Sequence, residues 1–276
     1  MKIAVLSGKG GTGKTTVAAS LFSCLDRCQY IDCDVEEPNG AIFLKPDLPV
    51  SCPVNVPTPR IDPAKCNGCG SCRSVCRFNA ITVIKGRALL FPELCHHCGA
   101  CLIVCESEAI SEKDREIGII ETNSSGTFMH GRLHIGEPVS IPVIRALKRR
   151  LQEDIPVVLD CPPGASCAVV RSIEGCDYCL LVAEPTPFGL HDLNIAVQLV
   201  RKMGIPFAVV VNKASDTDRS VQKFCRQNGI EIVLEIPFSK EIAQEYSRGI
   251  LPVVANPEWK KKFMELYTHV ERGIQT

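Results

Sequence analysis

Eight residues near the N-terminus, Gly8-Lys9-Gly10-Gly11-Thr12-Gly13-Lys14-Thr15, follow the pattern G-x-x-x-x-G-K-S/T. The chemistry open to such a loop is anion binding. Its glycines let the backbone curl until several N–H groups face one phosphate, and a helix starting behind them adds its positive dipole end. Lys14 then reaches the β- and γ-phosphates of a nucleotide, the Thr15 hydroxyl ligates Mg²⁺, and Thr16 supports the α-phosphate. Two acidic sites suit the same task. Val157-Val158-Leu159-Asp160 is an apolar run ending in an acid, which fits Asp160 to hold a water of the Mg²⁺ shell. Ile31-Asp32-Cys33-Asp34 ends another such run, and strand-end acids in a parallel sheet lie at its ligand edge.

Cysteine carries the second chemistry. Cys66-x-x-Cys69-x-x-Cys72-x-x-x-Cys76 recurs 29 residues later as Cys95-x-x-Cys98-x-x-Cys101-x-x-x-Cys105. The repeat extends beyond the thiols: Gly70 matches Gly99, Val75 matches Val104, and Ala80-Ile81 matches Ala109-Ile110. Two such half-units describe a bacterial ferredoxin module with two 4Fe–4S clusters, each fourth cysteine crossing to the other cluster. One cluster takes Cys66, Cys69, Cys72 and Cys105; the other takes Cys95, Cys98, Cys101 and Cys76. Paired zinc knuckles are the alternative, and they rarely use this spacing. Arg77 and Glu106 stand where a proline often follows the fourth cysteine. His96 and His97 read as surface residues. Cys24, Cys28, Cys176, Cys179 and Cys225 read as small apolar packing residues.

The elements that must position these groups alternate in type. Strands are predicted at residues 3–6, 30–32, 117–121, 128–135, 157–160, 180–183, 207–212 and 231–236. Helices are predicted at 14–25, 143–153, 190–203, 220–228 and 259–272. This alternation implies a mostly parallel sheet covered by helices on both faces. Six prolines between 46 and 63 predict a linker that is neither helix nor inner strand. The fold class is thus an α/β P-loop domain, residues 1–58 and 112–276, with a small α+β ferredoxin-like insert at 59–111.

Composition narrows the partners. Lys plus Arg equals Asp plus Glu, 31 each, and aromatics are 5%, so no general attraction to nucleic acid or membrane is expected. The first residues enter a strand directly, and no apolar run is long enough to span a bilayer. A cytoplasmic location is expected, where 17 cysteines read as ligands or thiols rather than disulfides.

The second lysine, Lys9, gives the loop a further likeness. G-K-G-G-T-G-K-T resembles the deviant Walker A loop of MinD, ParA, Mrp-type carriers and the nitrogenase iron protein. That resemblance implies that Lys9 reaches across an ATP-dependent homodimer to the partner's nucleotide. Asp160-Cys161-Pro162-Pro163-Gly164 resembles the family's switch II, and the Asp32–Asp34 stretch its switch I. By that match Asp34 orients or deprotonates the attacking water and Asp32 supports the metal side. Asn212-Lys213 is followed by Ala214-Ser215, so the acid that reads guanine in N-K-x-D proteins is missing. The family's adenine contacts fall on Asn212 and the Ile236-Pro237 backbone, which favours ATP. Cys167 occupies the place of a bridging-cluster ligand in the nitrogenase iron protein. The expectation is that it packs within the switch helix, with a transferable metal or cluster held between two Cys167 thiols across an ATP-closed dimer as the alternative.

The whole chain resembles MinD-superfamily ATPases carrying an inserted ferredoxin. This implies a slow ATPase, stimulated by dimerisation or a partner, that gates electron transfer or metallocluster assembly for a redox or metallocluster partner. Alternatives are a cluster scaffold or carrier whose hydrolysis times partner release, and a MinD-like positioning ATPase. The last rests on Trp259, Phe263, Leu266, Tyr267 and Val270 beside Lys260–Lys262, a stripe that equally suits a final helix packed on the sheet. Core packing is the expectation.

Overall fold

The computed structural model describes residues 1–215 and 217–275. Its strands are β1 (Lys2–Leu6), β2 (Gln29–Asp32), β3 (Val50–Ile61), β4 (Ile81–Ile84), β5 (Arg87–Leu90), β6 (Ile110–Thr122), β7 (Phe128–Leu133), β8 (Val157–Asp160), β9 (Tyr178–Ala183), β10 (Phe207–Ala214) and β11 (Ile232–Pro237). Among the described residues nine of them form one sheet, ordered β11-β10-β9-β1-β8-β2-β7-β6-β3, and β4 pairs with β5 in a separate hairpin. Pairing from β11 to β7 is parallel throughout. β6 runs antiparallel to β7, and β3 antiparallel to β6.

The central strands are buried along almost their whole length because both faces of the sheet are covered. Along β1, Ile3 and Val5 enter one core and Ala4 and Leu6 the other, as a period of two requires. Lys14–Ser23 and Pro257–Gln275 cover the first face; Ile141–Lys148, Cys167–Ile173, Pro187–Met203 and Ser220–Gln227 cover the second. Phe263, Leu266 and Val270 are at most 1% exposed. The C-terminal stripe is core. No helix among the described residues is long and apolar enough to cross a membrane.

The proline-rich stretch is not a linker. Val50–Ile61 is a strand of 12 residues at the sheet edge, where a proline costs no ladder bond if its nitrogen faces outward. Its partner β6 starts at Ile110, well before the predicted 117. The charged run Ser111-Glu112-Lys113-Asp114-Arg115-Glu116 hid that extension, because the ribbon there is held by backbone pairing rather than burial. Register runs from Val50↔Thr122 to Ile61↔Ile110, with one irregularity after Val54. Residues 62–109 sit at the far end of this ribbon, where Cys72, Ile81, Ala88 and Cys101 form a small separate core with Ile110 of β6.

Candidate functional site

The glycine loop joins β1 to the helix Lys14–Ser23. Gly13 sits at φ 90°, and a Cβ there would come 2.1 Å from Asn212 Nδ2, so only glycine fits. Asn212 Nδ2 donates to Thr12 O at 2.8 Å, and Lys213 Nζ donates to Gly11 O at 3.0 Å. Lys9 is ion-paired with Glu184, which also meets Lys213 at 3.1 Å. Gly8 lies against the Asp192 backbone. β10 thus braces the loop from outside. A cleft opens in front, lined by Gly10, Gly11, Gly13, Lys14, Thr15, Thr16 and Asp34, and continuing past Asn212, Ile236, Pro237 and Phe238.

Behind the loop the acids meet the lysine. Lys14 Nζ is 3.1 Å from Asp34 Oδ2 and 3.6 Å from Asp160 Oδ1. Burial alone would lower the Lys14 pKa, but Asp160 and Asp34 together raise it above its ordinary value. Burial raises both Asp32 and Asp34; Asp160 adds to this for Asp32, and Lys14 opposes it for Asp34. Asp32 accepts from Asp34 N at 3.1 Å and Gly40 N at 2.9 Å. Its carboxylate shapes the turn after β2 instead of lining the cleft.

Asp160 is fully buried, and its Oδ1 has no hydrogen-bond partner. Two carboxylates on one ammonium, with an orphaned oxygen on Asp160 and Thr15 lining the cleft, fit a hard oxygen-liganded cation such as Mg²⁺. Sequence reasoning missed Tyr30, whose hydroxyl donates to Asp160 Oδ2 at 3.0 Å while its ring stacks on Phe128. A tyrosine inside a buried strand must satisfy its hydroxyl, which was the available signal. It also assigned no role to Glu184.

In the cysteine module, Gly70 and Gly99 both adopt left-handed backbone, φ 84° and 72°, and each opens the short helix bearing the third thiol of its half. Cys66, Cys69, Cys72 and Cys105 line one small cavity. Cys95 is raised by burial and further by its neighbours Cys98 and Cys76, and Cys101 is pushed to about 11 by burial with Cys95 beside it. Cys105 therefore stands with the thiols of the first half, and Cys76 is near enough to Cys95 to act on it electrostatically. Among the described residues no three His, Cys, Asp or Glu side chains converge on a single-ion site. Thiol donors at this spacing, with glycine-opened turns and four of them around one small cavity, fit 4Fe–4S clusters.

His97 is not a surface residue. Its Nδ1 is 3.3 Å from Thr58 Oγ1 on β3, its backbone N donates to Cys95 Sγ, and Nε2 is buried. His96 stacks on Phe78 with ring centroids 3.6 Å apart. Arg115 fixes the same corner, bonding Glu137 at 2.5 and 2.7 Å and Pro92 O at 3.3 Å. Cys167 does not pack in the switch helix either; it is exposed at the helix start, since the first turn of that helix projects beyond the core. Cys24, Cys28, Cys176, Cys179 and Cys225 are all buried, and burial pushes Cys176 up to about 11.

An uncharacterized protein of Methanocaldococcus jannaschii is 30% identical over 257 residues, 90% of each chain. An iron-sulfur cluster carrier protein of Pyrococcus horikoshii is 25% identical, covering 96% of this chain and 83% of that protein. Among solved structures, the cell division ATPase MinD of Pyrococcus furiosus superposes with a TM-score of 0.60 at 18% identity, over 98% of both chains. The profile of the CobQ/CobB/MinD/ParA nucleotide binding domain matches residues 3–253. With its glycine loop, strand-end acids and parallel sheet arranged as described, the chain belongs to that nucleotide-binding family.

Proposed function

We propose that this protein is an ATP-hydrolysing switch whose residues 59–111 bind two 4Fe–4S clusters, and that nucleotide state gates electron transfer or cluster assembly with a partner protein. The observation that carries the reading is the mixing of halves: Cys105 shares a cavity with Cys66, Cys69 and Cys72, and Cys76 is close enough to raise the pKa of Cys95. Bound clusters supply one-electron transfer at potentials set by their surroundings.

This chain's residues supply the coupling. Lys14, Thr15 and Asp160 hold Mg·ATP, and Asp34 positions the attacking water. Leu133 N donates to Val35 O at 2.8 Å, next to Asp34. The loop after Leu133 leads to Glu137 and through Arg115 to the Pro92 carbonyl of the cysteine module. A γ-phosphate that moves Asp34 thereby pulls on the module's anchor. Lys9 leaves Glu184 to reach the partner's ATP in a homodimer.

The test is anaerobic purification with iron and sulfide counting, followed by ATPase assay of wild type and Lys14→Ala. Colourless, zinc-loaded or metal-free protein defeats the reading. The carrier alternative is favoured by relatives named iron-sulfur cluster carrier protein and by the exposed Cys167. Reoxidation of the reduced protein at a rate independent of ATP turnover selects it.

A further inference from the structure

We infer that the groove between β3 and the helix Ile141–Lys148 is the seat of a small acidic electron-carrier protein. The inference rests on the cluster reading above and adds the partner's chemistry and place. The groove has an apolar floor that includes Val56, Pro57 and Ile141. Arg145, Arg149 and Arg150 line its wall, all exposed. No carboxylate lines it, in a chain with 31 acidic and 31 basic residues. Among the described residues Arg145 and Arg149 form no ion pair within 4 Å. The positive charge is concentrated along this wall, and the acid that feels Arg145, Glu174, lies outside the groove lining.

The far end of the groove is His96 and His97. His97 N lies 3.5 Å from Cys95 Sγ, and His96 stacks on Phe78, two residues past Cys76. A protein seated there lies against the backbone wrapping the Cys76, Cys95, Cys98 and Cys101 quartet. Strand addition is not the docking mode. β3 stays paired with β6 through Pro57 and Pro59, so the donors those prolines lack are the outward ones, and a new strand finds gaps in the edge. Apolar contacts with arginine–carboxylate pairs at the rim fit the geometry, and such charges act mainly on encounter rate and salt dependence.

Fluorophore-labelled plant-type ferredoxin serves as the acidic probe, read by anisotropy against the full, anaerobically purified chain over a salt series. The expected result is salt-sensitive binding that weakens at least about tenfold in Arg145→Glu/Arg149→Glu. Arg145→Gln/Arg149→Gln moves affinity the same way by less. Basic cytochrome c binds the charge-reversed variant more tightly than wild type. Lys260→Glu/Lys261→Glu, on the last helix, leaves ferredoxin binding unchanged. Unaltered ferredoxin affinity in folded Arg145→Glu/Arg149→Glu overturns the inference, as does an equal loss in the lysine variant. Iron measured on the same samples separates the two readings. Charge-dependent binding without iron sinks the clusters and keeps the seat, while iron with charge-independent binding does the reverse.

Discussion

Lys14 and Asp34 meet at 3.1 Å, so the phosphate-loop lysine is clasped by the very acid assigned to the attacking water. Asp160 holds it from the other side. Nucleotide entry must therefore exchange carboxylates for phosphates around one ammonium. Lys14→Ala leaves the Asp34 and Asp160 carboxylates unopposed. It is expected to abolish nucleotide binding and to cost about 3 kcal/mol at neutral pH. Melting curves at neutral and mildly acidic pH check this; the deficit shrinks in acid as the carboxylates take up protons.

Titration of the wild type has a definite sign. Asp32 and Asp34 are both held above the ordinary Asp value of 3.8, burial being the main cause. A carboxyl whose folded pKa is raised contributes stability below its unfolded value and loses it as pH rises through the folded one. Nucleotide-free protein is thus expected to melt at lower temperature as pH climbs from about 4 toward neutrality. Asp34→Asn flattens that slope. A variant with the same slope as wild type removes Asp34 from the account.

Tyr30→Phe deletes the hydroxyl that orients Asp160 and keeps the stack on Phe128, whose ring lies 5.4 Å away. A cost of about 1–2 kcal/mol is expected, because Asp160 then has no hydrogen-bond donor on either oxygen. The Mg²⁺ concentration needed for nucleotide binding rises several-fold. Calorimetric titration of nucleotide at stepped Mg²⁺ reads both effects.

Glu184 holds two lysines, Lys9 from the glycine loop and Lys213 from β10. Burial would raise its pKa, yet the two lysines keep it below the usual range. Glu184→Gln loosens Lys9 and removes an ion pair worth about 1 kcal/mol. If dimerisation uses Lys9, the ATP-dependent dimer tightens by about fivefold in sedimentation equilibrium. Weaker dimerisation instead makes Glu184 part of the dimer contact.

Pairs of cysteine substitutions test the crossing of halves. Cys69→Ala and Cys105→Ala are each expected to halve the iron, from about eight to about four per chain, and the double variant loses no more. Cys69→Ala with Cys98→Ala loses all of it. Iron counts that follow the halves of the sequence, with Cys105 grouped with Cys98, would replace the crossed assignment by a local one.

Sequence spacing alone specified the glycine loop, the strand-end acids and the paired cysteine runs, because each depends on local backbone geometry. Gly13 takes left-handed backbone, φ 90°, as the loop pattern itself implies, and Cys66-x-x-Cys69-x-x-Cys72 sets three thiols within seven residues. The long ribbon of β3 and β6 was not legible: prolines and a charged run conceal strands held by backbone pairing at an exposed edge. Tertiary structure decided which groups far apart in sequence touch. It set Tyr30 on Asp160, Glu184 on Lys9, and His97 between Thr58 and Cys95. Such contacts depend on sheet order and loop closure, which no local pattern of residue types encodes.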